Sequence, residues 1–210
     1  MKKKVLITGA TSGIGLAISS YYRKKGFTVY DVSRSGTYGC DFSDPFNVAR
    51  FIHTFDNWDQ IDVLINNSGL MFLEESPIDF PLLYNVLLTA PALFLYRIGH
   101  KIRSHIVNIA SVSGMKAEPD APMYGALKAG LINLTKSYAI KLAPDVRVNC
   151  ISPGFFNTNL IKGNTPDFLI KSIPIAREAS PIEIIPVIKM LDESKYMTGA
   201  NIVIDGGLTA

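Results

Sequence analysis

The sequence predicts an α/β fold, a doubly wound parallel sheet in a single domain spanning residues 1–210. Three observations carry this. First, the apolar run Val5 to Ile7 passes into a turn holding Gly9, Gly13 and Gly15, after which Ile14, Leu16, Ala17 and Ile18 open a helical pattern. Such a strand–turn–helix brings backbone N–H groups up to a phosphate. Second, strand-like and helix-like patterns alternate along the rest of the chain. Third, 210 residues, 48% hydrophobic and 19% charged, suit one globular unit able to bury a core.

Each element has its own signal. Val5 to Ile7 reads as a short buried strand. In the turn, Gly9 suits the tight bend, Gly13 the approach of a pyrophosphate, and Gly15 the packing of helix on strand. Ile14 to Lys25 reads as a helix, with Ile14, Ala17, Ile18 and Tyr21 at helical spacing and Gly26 as its stop. Phe27 to Val32 is a second strand, which completes a βαβ unit. Asp44-Pro45 starts a helix over Phe46 to Phe55, and Ile61 to Ile65 is the next strand. Pro81 to Ile102 is a long apolar helical pattern, and Pro91 within it predicts a kink. Asn85 sits there among Leu82, Leu83, Val86 and Leu87, where a buried amide needs a partner. Ile106 to Ala110 is a strand ending at Ser111. The helix that begins near Pro122 carries Tyr124, Lys128, Leu131, Leu134 and Tyr138. Val146 to Ile151 is a strand leading to Ser152-Pro153-Gly154. Thr165 to Ala179, with Pro166 and Pro174, reads as loop with a short helix. Pro181 to Leu191 is a helix, and Asn201 to Asp205 a last strand ended by Gly206-Gly207.

The formal net charge is +3, and the basic residues are dispersed apart from Lys2 to Lys4, a solvated terminus; no nucleic-acid partner is expected. Val5 to Ile7 is too short for a signal peptide, and no apolar run is read as long enough to span a membrane. Cys40 and Cys150 show neither disulfide nor metal spacing, so no metal is expected and a reduced cytoplasmic compartment is. Cys150, in a strand, reads as a small core residue.

Tyr124 and Lys128 are four apart and share one helix face. A tyrosine is a poor acid or base near neutrality, its ordinary pKa being about 10. A nearby lysine ammonium, together with the positive ring of a bound nicotinamide, favours the phenolate and lowers that value, which makes Tyr124 a general acid or base. Ser111 lies at the C-terminal end of a strand, where such sheets place their ligands, and its hydroxyl can hold a substrate oxygen.

Thr8 to Gly15, read T-G-A-T-S-G-I-G, resembles the opening motif of the short-chain dehydrogenase/reductase family. Asn66-Asn67-Ser68-Gly69 resembles its N-N-A-G, with Ser68 in place of alanine, and Cys40 to Asp44 resembles its adenine-contacting segment. Asn85, Ser111, Tyr124 with Lys128, and Pro153-Gly154 with Thr158 follow in the family's order and near its intervals. Tyr196 to Gly199 and Ile204 to Gly207 resemble its closing signals, so the resemblance spans essentially the whole chain. Within the family the chain resembles members of the 3-oxoacyl-carrier-protein reductase kind.

The resemblance implies a Rossmann-type sheet of about seven strands in the order 3-2-1-4-5-6-7. It implies that Gly9, Thr11, Ser12, Gly13, Ile14 and Gly15 bind the cofactor, with Asp41 and Phe42 at the adenine and Asn67, Ser68 and Gly69 behind it. Pro153, Gly154, Phe156 and Thr158 lie by the carboxamide and phosphates. By the same resemblance Tyr124 would be the proton donor or acceptor, Lys128 would bind the nicotinamide ribose, Ser111 would position the carbonyl, and Asn85 would hold a relay water. At the family's ribose-selecting position stands Ser33, followed by Arg34; Asp31 falls two residues early. A guanidinium there suits a 2′-phosphate, so NADP(H) is expected over NAD(H), the alternative. His53, His100 and His105 match no catalytic position. The chain departs from the family between the second and third strands, where a crossover is shortened to a loop over Gly36 to Cys40.

The expected function is an NADP(H)-dependent oxidoreductase moving a hydride between cofactor and a carbonyl or secondary alcohol. A non-catalytic nucleotide-binding sensor of the same fold is the alternative, but it has no need of Ser111, Tyr124 and Lys128. The apolar surface of Leu82 to Tyr96 and Leu127 to Tyr138 predicts a homodimer or homotetramer.

Overall fold

Strand β1 (Lys4–Thr8) takes its place at the centre because its sequence, KVLIT, is apolar on both faces. Leu6 points to one layer with Val32, Leu64, Ile106 and Val148. Val5 and Ile7 point to the other with Val63, Ile65, Val107 and Ile151. The computed structural model describes residues 2–55, 61–72, 74–160 and 165–210. It adds β2 (Thr28–Ser33), β3 (Tyr38–Gly39), β4 (Val63–Asn66), β5 (His105–Ile109), β6 (Arg147–Pro153) and β7 (Asn201–Ile204). They form one seven-stranded sheet in the order β3-β2-β1-β4-β5-β6-β7, with every pairing parallel. This is the topology expected from the sequence.

Helices cover both faces. Helices α1 (Gly13–Lys24) and α7 (Ile185–Glu193) bury Ile18, Tyr22, Ile188 and Leu191 against one face. On the other lie α2 (Pro45–Thr54), α4 (Ala90–Ile98) and α5 (Pro122–Leu142), preceded in the chain by the one-turn α3 (Phe80–Tyr84). A short α6 (Asp167–Lys171) follows β6. Asp44 caps α2 as its sequence suggests, its carboxylate accepting from Phe46 N at 2.9 Å.

The shortened crossover closes without a helix. Only the end of β2 pairs with β3, through Val32↔Tyr38 and Ser33↔Gly39, so residues 34–37 need merely loop out and return. Gly36 allows this: a Cβ there would lie 2.6 Å from Ser33 Oγ and 2.7 Å from Asp31 Oδ1.

Two sequence expectations change along Pro77–Lys101. The kink at Pro91 takes the form of a π turn over Asn85–Thr89, with Ala90 N bonded to Asn85 O. The wider turn accommodates a proline ring that would crowd the preceding carbonyl in a regular α-helix. The run also corrects the reading that no segment reaches spanning length: Pro77–Lys101 is 25 residues, apolar and long enough to cross a membrane. One side of it is used in packing, since Leu83, Leu87, Phe94, Leu95 and Ile98 are buried in the core, while Ile78, Tyr84 and Tyr96 are exposed.

Candidate active site

A cavity of about 660 Å³ opens at the C-terminal ends of the central strands. The glycine turn forms one wall. Gly9 and Gly13 have φ of +68° and +52°, conformations that favour glycine. A Cβ on Gly15 would lie 2.1 Å from Gly9 O, so helix and turn pack backbone to backbone. The Asn67 amide ties the turn to β4, donating to Thr8 O and Gly9 O at 3.0 Å each. Thr8 Oγ1 accepts in return from Asn67 N at 2.9 Å and Ser68 N at 3.0 Å.

These features fit a dinucleotide. Helix α1 has no side-chain cap at Ser12 and no acid in its first turn, so its leading amides are left for an anion. Ser68 Oγ is buried without a partner, a polar group left for a ligand to satisfy. Thr11, Ser12, Ile14, Gly69, Pro153, Gly154, Phe156 and Thr158 line the same cavity, as do Ser33, Arg34, Asp41 and Phe42 at its far end. Arg34 is exposed. Asp41 is held below the usual carboxylate range chiefly by the Ser43 hydroxyl and backbone N–H, with the Arg34 charge adding to them. Asp31 does not line the cavity; it is 8% exposed, and burial raises its pKa.

Ser111, Tyr124 and Lys128 meet at the other end. Ser111 follows β5 and caps a short 3-10 turn, its Oγ accepting from Ser113 N at 3.1 Å. Tyr124 and Lys128 are both buried on α5, with Lys128 Nζ 5.7 Å from the tyrosine ring centre. Lys128 Nζ donates to Ile109 O at 2.8 Å, and burial pulls its pKa down to about 8. Burial pushes Tyr124 up to about 12, against the pull of a hydrogen bond with Ser111 and with a smaller push from Glu118. The expected lowering counts a positive cofactor ring as well as the lysine; in the protein alone, loss of hydration sets the value.

Asn85 corrects the sequence reading. It does not line the cavity, and its Nδ2 donates to Ser43 O at 2.9 Å, binding the π turn to the loop that carries Asp41. The cavity wall from this helix is Leu82 and Val86. The sequence reading also passed over Leu70, Met71, Phe72, Glu118 and Leu208, which line the substrate end. They come from three separate loops and share no local pattern.

An open parallel sheet with a glycine turn at one end of its cavity and a buried Ser–Tyr–Lys group at the other defines a nucleotide-dependent oxidoreductase of the doubly wound class. Residues 9–209 match the family model described as Enoyl-(Acyl carrier protein) reductase. The 3-oxoacyl-[acyl-carrier-protein] reductase of Thermotoga maritima is 32% identical over 240 residues, covering 98% of this chain and 97% of that protein. Among solved structures, 4-hydroxyisoleucine dehydrogenase complexed with NADH superposes with a TM-score of 0.89 at 32% identity, covering 99% of each chain. ElxO with NADP bound does so with a TM-score of 0.87 at 26% identity, covering 99% of each. The chain belongs to the short-chain dehydrogenase/reductase family. It is an NAD(P)-dependent enzyme of the class that interconverts C=O and CH–OH groups.

Proposed function

We propose that the protein reduces the carbonyl group of a small molecule with NADPH, using Ser111, Tyr124 and Lys128. The convergence of these three side chains on the cavity carries the reading. The Ser111 hydroxyl holds the carbonyl oxygen. Tyr124, protonated well above neutral pH, donates a proton to that oxygen. Lys128 keeps its charge at pH 7 because its pKa stays near 8. That charge favours the tyrosinate formed as the proton leaves, and the ammonium would also hold the cofactor's ribose. A nicotinamide cofactor held in the cavity would supply the hydride. Asn85 has no part in the relay.

The preference for NADPH rests on the exposed Arg34 and on Ser33 standing where a carboxylate would select NADH. The two comparison structures hold one cofactor of each kind. A homo-oligomer is supported by Tyr84, Tyr96 and Ile140, which leave 53%, 63% and 81% of their surfaces exposed on neighbouring helices. The free Cys40 and Cys150 support a cytoplasmic location.

The test is a screen of ketones, aldehydes and acyl thioesters with NADPH and NADH, followed by absorbance of the reduced nicotinamide. Consumption of NADPH with one substrate class, at higher kcat/KM than with NADH, supports the proposal. Faster turnover with NADH overturns the cofactor assignment.

A further inference from the structure

Helix α5 carries the reacting groups yet begins without a cap of its own. Its N-cap is Ala121, which has no polar side chain, and its first turn holds no acid. The amides of Met123 and Tyr124 therefore lack partners within the helix. Both are taken by one carboxylate from a distant loop. Glu75 Oε2 accepts from Met123 N at 2.7 Å, and Oε1 accepts from Tyr124 N at 2.8 Å. A further bond, Glu74 N to Asp120 O at 3.2 Å, fastens the same loop beside the helix start. Glu74 has φ of 60°, so the loop keeps a left-handed non-glycine residue to make this reach.

The loop is also a wall of the cavity. Leu70, Met71 and Phe72, just ahead of Glu75, line its substrate end and pack in one cluster with Tyr124 and Leu127. One of the amides that Glu75 holds belongs to Tyr124 itself. The carboxylate thus sets the distance between the wall that receives the substrate and the hydroxyl that reacts with it. A carboxylate at a helix N-terminus is favoured in addition by the helix dipole.

We infer that Glu75 is a positioning residue, which fixes the substrate wall against Tyr124 and so governs both turnover and the size of substrate accepted. This rests on the reading of Tyr124 as proton donor. It acts through the backbone of Tyr124 and touches neither cofactor nor reacting atoms. Misplacing a reacting group by about 1 Å can cost on the order of a hundredfold in rate.

The experiment compares the parent protein with E75A, E75Q, E75D and Y124F, on a small and a bulky carbonyl substrate drawn from the screen. For E75A we expect kcat lower by about tenfold and a ratio of kcat/KM between the two substrates changed at least about fivefold. NADPH affinity, from fluorescence titration, should stay within about twofold. E75Q keeps one acceptor oxygen but sets its NH2 against the other amide N–H, and should recover only part of kcat. E75D keeps the charge but is one methylene too short to reach both amides, and should show the altered selectivity. Should E75A fail to fold, E75D decides. Parent values of kcat and of selectivity in E75A or, in its place, E75D would overturn the inference, whatever the melting temperature. So would a loss of NADPH affinity as large as the loss of kcat. Full activity in Y124F would instead overturn the underlying reading, so the two failures are distinct.

Discussion

Replacing Lys128 by methionine should make the protein more stable at pH 7 while it removes activity. Lys128 is 4% exposed, and burial drops its pKa from 10.5 to about 8. Below pH 8 the folded protein therefore keeps an ammonium that would be better hydrated in the unfolded chain. The cost is about 3 kcal/mol by linkage. Between pH 8 and 10.5 the unfolded chain binds the proton and the folded one releases it, so the parent gains stability as pH rises through this window. Methionine has similar length and no charge, but it leaves Ile109 O without the Nζ donor, a loss of about 1 kcal/mol. The net expectation is a Lys128→Met protein more stable by about 2 kcal/mol at pH 7, with the gap closing toward pH 10. Urea denaturation of both proteins at several pH values measures it. Burial raises the pKa of Cys40 to about 12 and of Cys150 to about 11, which costs stability as unfolded thiols ionise above pH 9. The Cys40 contribution cancels in the difference between the two proteins; that of Cys150 cancels only below about pH 9, because the Lys128 charge itself lowers that thiol's pKa. A parent more stable than Lys128→Met at pH 7, or a gap that does not change with pH, would refute the reasoning.

Arg34→Ala should weaken NADPH binding by about tenfold or more and leave NADH binding nearly unchanged, as titration of each cofactor would show; equal losses would remove the phosphate assignment. Gly15→Ala should abolish cofactor binding and lower the melting temperature, because its Cβ would meet Gly9 O at 2.1 Å. Gly39→Ala, with nothing within 4 Å of the added carbon, should change neither. Light scattering at micromolar concentration should give a dimer or tetramer, and a monomer would refute the reading of the exposed Tyr84, Tyr96 and Ile140.

The parts of the site that the chain builds locally were legible in the sequence. Gly9, Gly13 and Gly15 sit within one turn, and Tyr124 and Lys128 within one helical turn, so spacing alone placed them together. Asn85 lies off the cavity with its amide bonded to Ser43 O, and the motif order says nothing of which way an amide points. The raised pKa of Tyr124 depends on how completely the fold buries it, which no spacing reports. Partners far apart in the chain were invisible. Glu75 reaches Tyr124 across 49 positions. His105, read only as matching no catalytic position, is buried 3.2 Å from Asp192. That carboxylate also accepts from Tyr21, Tyr22 and Lys25, and against the push of burial the bonds from His105, Lys25 and Tyr22 hold it far below the usual range. The apolar run was read as one pattern from Pro81 to Ile102, but the π turn that carries the helix past Pro91 has no signal in the spacing.

The central claim is that Tyr124 delivers the proton, and the direct measurement is single-turnover reduction of a confirmed carbonyl substrate by Tyr124→Phe saturated with NADPH. Phenylalanine fills the same buried space and removes only the hydroxyl. The account expects NADPH affinity within about twofold of the parent and a rate of reduction lower by about a hundredfold or more. A Tyr124→Phe protein that reduces the substrate at the parent rate would contradict it.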